Sequence, residues 1–123
     1  IVYFGQGAAS LTTGKMYYLA ASGIWTETDA SDDSAWADEL LGIALGTSAT
    51  TNGVLLRGFV NTSGVSNIQA AGVAHYMSTD AGLITATAPS GNEEIVRVVG
   101  YSLHADQDLF YFNPDNTWVE VNA

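Results

Sequence analysis

Two histidines, His75 and His104, are the only side chains here that ordinarily change charge near neutral pH. A nucleophile relay would need one of them beside a serine and a carboxylate. No Gly-x-Ser-x-Gly elbow surrounds any serine, and neither His-Glu-x-x-His nor a phosphate-cradling Gly-x-x-x-x-Gly-Lys occurs. His75 precedes Tyr76-Met77 inside an expected strand, and His104 ends another, before Ala105-Asp106. Both are read as histidines satisfied by backbone or solvent, and the chain as non-enzymatic.

Carboxylates are the next candidates. Asp29, Asp32, Asp33, Asp38 and Glu39 form the densest acidic group, with smaller ones at Glu93-Glu94 and at Asp106 and Asp108. A glycosidase needs two carboxyls held at a set separation across a sugar cleft. Calcium needs several oxygens converging from a loop, and no Asp-x-Asp-x-Asn-Gly run closing on Glu is seen. These acids fall between expected strands, where solvated side chains belong. No cofactor and no metal site is assigned. Without cysteine, disulfides, thiolate metal sites and thiol catalysis are excluded.

The charge balance restricts partners. Thirteen acidic residues against three basic ones give a net charge of -10, and Lys15, Arg57 and Arg97 are scattered. Nucleic acid is excluded, because binding it takes clustered cations that displace condensed counterions. Apolar runs such as Val54-Leu55-Leu56 fall far short of a membrane-spanning helix of about 20 residues. The start at Ile1, without Met or a basic leader, fits a processed product or the end of a longer polypeptide.

Five residues remain as candidates for an interface. Trp36 sits in the acidic loop, away from any expected strand. Arg57 and Arg97 lie within apolar strands, Leu55-Leu56-Arg57-Gly58-Phe59 and Val96-Arg97-Val98, and are expected to pair with carboxylates. Gly42 and Gly100 occupy mid-strand positions, which points to a bend or to the close approach of another backbone.

The elements that position these residues are strands. Runs of β-formers fall at Lys15–Ala20, Ile24–Asp29, Leu40–Thr47, Val54–Asn61, Val73–Ser78, Leu83–Ala88, Ile95–Leu103, Leu109–Asn113 and Thr117–Val121, separated by Gly, Asn, Asp and Ser. Asp32–Leu41 is short for a helix and is read as a loop or single turn. The expected fold is all-β, a compact antiparallel sandwich or barrel of about eight to nine short strands in one domain over 1–123.

The chain also matches itself. Gly14 and Gly72 stand 58 apart (72 minus 14), each followed four residues later by a tyrosine, Tyr18 or Tyr76. Thr26, Thr28 and Ser31 match Thr85, Thr87 and Ser90 at 59, and Leu41-Gly42 and Leu45 match Val99-Gly100 and Leu103 at 58. An internal duplication follows, with halves at about 11–61 and 69–121 that close on one another because neither buries its own face. In both halves the large residues, Leu41/Ile43/Leu45 and Val99/Tyr101/Leu103, are expected on one face and the small ones on the other. Leu109-Phe110-Tyr111-Phe112 is apolar on both faces, so it is expected to be covered on both, by core on one side and by a neighbouring subunit on the other.

One string carries a resemblance. It runs Tyr76-Met77-Ser78-Thr79, Ala81-Gly82-Leu83-Ile84-Thr85, Thr87-Ala88-Pro89-Ser90-Gly91 and Val96-Arg97-Val98-Val99-Gly100-Tyr101, then Phe110 to Glu120 through Asn113-Pro114-Asp115-Asn116-Thr117-Trp118. It resembles C-terminal β modules of tailed-phage virion proteins, the head-decoration and fibre proteins of marine and environmental phages. With Gly14-Lys15, Leu40–Leu45 and Leu55–Val60 the likeness spans about Gly14 to Glu120. It implies a virion structural protein that self-assembles, a homotrimer first, and docks on other virion proteins, with no catalytic residue to carry over. Ile1-Val2-Tyr3-Phe4 is expected to pair with a neighbour or to be the stump of a longer fibre. The competing reading is a receptor- or glycan-binding module at a fibre tip, which needs exposed Trp or Tyr beside polar loops. A polysaccharide hydrolase is weaker still.

Overall fold

The computed structural model describes residues 1–31 and 39–123. The fold is all-β. Among the described residues there are eleven short strands and one 3₁₀ turn at Ala105–Gln107. The strands are β1 (Met16–Leu19), β2 (Trp25–Glu27), β3 (Leu41–Ala44), β4 (Val54–Leu55), β5 (Gly58–Asn61), β6 (Ala74–Met77), β7 (Ile84–Thr85), β8 (Ile95–Val96), β9 (Val98–His104), β10 (Leu109–Phe112) and β11 (Val119–Glu120). All pairings are antiparallel. Segment Asp32–Asp38, with Trp36, lies outside the described residues.

Two sheets carry the molecule, one ordered β2-β1-β3-β4 and the other β5-β10-β9-β6-β7, with a small β11-β8 pair beside them. The barrel alternative is not realised, since neither sheet closes on itself. Instead one core joins the sheets: Met16, Leu41, Ile43 and Leu55 from the first, and Met77, Ile84, Val99, Phe110 and Phe112 from the second. Main-chain bonds stitch the layers together, from Met16 N to the Gly82 carbonyl and from Gly82 N to that of Thr28.

Two expected strands divide. Val54–Asn61 breaks at Leu56-Arg57, so that β4 stays in the first sheet and β5 crosses to the edge of the second. Gly58, with φ of 135°, takes the left-handed-side conformation this crossing needs. Ile95–Leu103 breaks at Arg97, and β8 leaves to pair with β11.

The internal match reappears in the pairing. β7-β6-β9-β10 repeats the order β2-β1-β3-β4. Tyr17 faces Gly42, and 58 residues on His75 faces Gly100. Leu19 faces Trp25 as Met77 faces Ile84, and Ala44 faces Val54 as Ser102 faces Phe110. The expected use of the faces, however, is corrected. In the first sheet Met16, Ile43 and Leu55 turn to the shared core. Their counterparts Ala74, Tyr101 and Tyr111 turn away from it, while Gly100 and Ser102 turn inward. The two units stack front to back. A period-two pattern says which side chains share a face, and only the tertiary partner says which face is inside.

The first sheet is covered on both sides. Tyr17, Trp25, Ala44 and Val54 point away from the shared core into a second one, with Leu11 and Ala49. Residues 1–11 lie over it. Val2 bridges Val54 in both directions, Trp25 N donates to the Gly5 carbonyl, and Trp25 Nε1 donates to the Phe4 carbonyl at 2.9 Å. The start of the chain thus pairs within its own chain.

Candidate functional site

The inward-facing polar groups are closed off chemically. His75 is fully buried beside Phe110, ring centroids 5.5 Å apart and edge-on. Gln69 N donates to His75 Nε2 at 3.2 Å, so Nδ1 carries the proton and donates to the Val73 carbonyl at 2.8 Å. Burial pushes the His75 pKa below the ordinary histidine value, against the smaller raising effect of the Val73 bond. Both ring nitrogens are therefore engaged in a neutral, structural imidazole. Among the described residues, no three His, Cys, Asp or Glu side chains come together as a metal-binding group.

Of the five expected interface residues, Gly42 and Gly100 are buried inside the chain. A Cβ at Gly42 would strike Val54 Cγ1, and one at Gly100 would strike the Tyr111 carbonyl and the Phe110 ring. The expected close approach of another backbone is real at Gly100, and it comes from β10 of the same chain. Arg97 is buried, with Nε donating to the Asp115 carbonyl at 2.8 Å and Nη1 to that of Glu39 at 3.1 Å. Arg57 is exposed, and among the described residues no carboxylate comes within 4.0 Å of it. Sequence reading had not foreseen that Arg57 and Arg97 line one open groove of about 490 Å³, with Glu39, Leu56, Asn113 and Asn116. Trp36 falls outside the described residues.

The feature that stands out is the outer face of the five-stranded sheet, of which the sequence singles out only the doubly apolar strand Leu109–Phe112. Phe59, Tyr111, Tyr101 and Ala74 are register neighbours across β5, β10, β9 and β6, so they form one row. The Phe59 and Tyr111 rings lie 5.2 Å apart. Phe59 is 74% exposed, Tyr101 44% and Leu103 39%. No described segment covers them as residues 1–11 cover the first sheet. The outward side chains from Phe59 and Asn61 through Leu109, Tyr111, Tyr101, Leu103, Ala74 and Tyr76 to Thr85 include no Asp, Glu, Lys or Arg. Beside the row, Tyr101 and Val98 flank a groove of about 310 Å³ closed by Asn113, Pro114, Asp115 and Asn116. The signal in the sequence is the run of large residues on alternate positions of β9 and β10. Of the two covers expected over Leu109–Phe112, the structure shows the core on one side only.

Comparison with models of known protein families, with curated proteins and with solved structures finds no match.

Proposed function

We propose that this chain is a non-enzymatic structural module of a bacteriophage particle, a head-decoration or fibre unit that works by self-assembly and by docking on the virion. The observation that carries the assembly reading is the uncovered, uncharged aromatic row Phe59–Tyr111–Tyr101. On a chain of net charge -10, it is a broad face on which large apolar groups sit without like-charge repulsion. The placement on a phage rests on the resemblance of residues 76–120. A homotrimer is the expected assembly.

Native mass by light scattering behind size exclusion, over a range of concentrations, tests the assembly reading. A stable trimer supports it, and a monomer at every concentration overturns it. Gold-labelled antibody against the chain tests the placement: label on the surface of purified particles supports it, and label confined to host debris sinks it.

One observation favours a second reading. The groove beside Tyr101 places a phenol ring next to Asn113, Asp115 and Asn116, the aromatic-plus-amide lining that a sugar ring uses. Binding on a glycan array that Tyr101→Ala abolishes would support a receptor-binding module, and a blank array removes it.

A further inference from the structure

We propose that copies of this chain associate front to back, the Phe59–Tyr111–Tyr101 face of one meeting the Tyr3, Phe4 and Ile24 patch of the next. The proposal rests on the self-association proposed above and gives it an address on both partners.

The fold already contains one such contact. Its two matched units do not meet through equivalent faces. The inner face of the first, with Met16, Ile43 and Leu55, packs on the inner face of the second, with His75, Ser102 and Phe110. Because Ala74, Tyr101 and Tyr111 are the counterparts of Met16, Ile43 and Leu55, the exposed face of the second unit corresponds to the face that the first unit buries. What satisfies it in kind is another unit's opposite side.

That opposite side exists on every copy, at the other surface of the sandwich. There residues 1–11 overlie Trp25 and Val54 and carry their own apolar groups outward. Tyr3 is 57% exposed, Phe4 46% and neighbouring Ile24 40%, with the Phe4 ring stacked 6.1 Å from Trp25. Residues 1–14 contain no Asp, Glu, Lys, Arg or His, although the chain holds thirteen acids. The aromatic row and Tyr3, Phe4 and Ile24 themselves carry no charge. The nearest carboxylates, Asp115 beside Tyr101 and Glu27 beside Ile24, line the flanking grooves. Contact between the two patches therefore desolvates no ion at its centre. A three-fold assembly also requires two different patches on each copy, because a patch that meets itself produces two-fold symmetry.

The test is complementation between variants of the full chain. Phe59→Asp and Tyr3→Asp each place a charge on one exposed patch, with Phe59→Ser and Tyr3→Ser as a pair that adds none. Ser90→Asp, at an exposed position on neither patch, controls for the added charge. We expect either patch variant alone to fall to the monomer mass of 12.9 kDa. We expect an equal mixture of Phe59 and Tyr3 variants to recover a species of twice that mass and no larger, since each keeps the patch its partner lacks. Ser90→Asp should keep the native mass. Loss of assembly in the Phe59 variants alone, or a mixture that stays monomeric, overturns the front-to-back contact. Patch variants that keep the native mass overturn both addresses while leaving self-association standing. A wild-type chain that is monomeric throughout overturns self-association itself.

Discussion

Ile43 and Tyr101 hold the same place in matched strands, 58 residues apart (101 minus 43), and meet opposite surroundings. Ile43 is fully buried between the sheets, and Tyr101 is 44% exposed. Equivalent truncations should therefore have unequal costs. Ile43→Ala should destabilise by about 2–5 kcal/mol, from lost burial and the cavity left behind. Tyr101→Ala should cost the monomer about 1 kcal/mol or less, as surface changes do. Urea unfolding of both variants, at a concentration where the protein is monomeric, measures the difference. Equal losses would contradict the front-to-back arrangement.

Gly100 is fixed by contact. An added Cβ would meet the Tyr111 carbonyl and approach the Phe110 ring to 2.7 Å. Neither neighbour yields cheaply, because one is backbone of the paired strand and the other a fully buried ring. Gly100→Ala should cost about 1–3 kcal/mol by overpacking. At Gly72, φ of 84° disfavours a side chain but nothing lies within 4 Å of the added atom. Gly72→Ala should cost roughly 1–2 kcal/mol from backbone strain alone. Thermal melts showing Gly72→Ala as the more damaging change would refute the packing argument.

Much of the architecture was legible because it is local. Turn residues bracket the strands, and the match of Gly14-to-Leu45 with Gly72-to-Leu103 anticipates which strands pair. The split at Arg97 was not legible, because β8 leaves only by virtue of its distant partner β11. The faces of β9 were hidden for a related reason. The register shift between His75 and Tyr76 opposite β9 leaves Val99 and Gly100 both inward, and one such irregularity inverts every side chain beyond it. Which of the large residues on β9 face outward is therefore not encoded in the local pattern. The role of Arg57 depends on where the chain crosses between sheets, and that of Gly42 on the Val54 and Trp25 side chains of other strands packed over it, neither of which a local pattern encodes.

His75 gives the fold a defined acid sensitivity. Its folded pKa is lowered, chiefly by burial, so below the unfolded value of about 6.5 the unfolded chain binds the extra proton first. Its contribution is complete above that value and is lost as pH falls through the lowered folded one. Protonation of Nε2 would also replace the acceptor of the Gln69 N–H with a donor. Urea midpoints at pH 7.5 and 5.5 should fall on acidification more for the wild type than for His75→Gln. Carboxylate titration, common to both proteins, cancels in the comparison. Identical pH dependence would mean that His75 is not held neutral.

Residues 1–10 act as the cover of the first sheet, and the single Trp25 Nε1 bond to Phe4 is one of the ties that hold them there. Beneath lie Trp25, Ala44 and Val54, each 3% exposed or less. Removing the cover should uncover this second core and leave the first, between the sheets, in place. We expect a chain starting at Leu11 to keep strand content by far-UV circular dichroism while binding a hydrophobic dye, with Trp25 emission shifted to longer wavelength. Trp25→Phe should act more mildly than truncation, because it keeps most of the apolar contact and loses one hydrogen bond, worth about 1 kcal/mol. Truncation without dye binding or emission shift would mean that the cover contributes nothing to the burial of Trp25. It would also remove the physical basis for treating Tyr3 and Phe4 as a patch held in a fixed place.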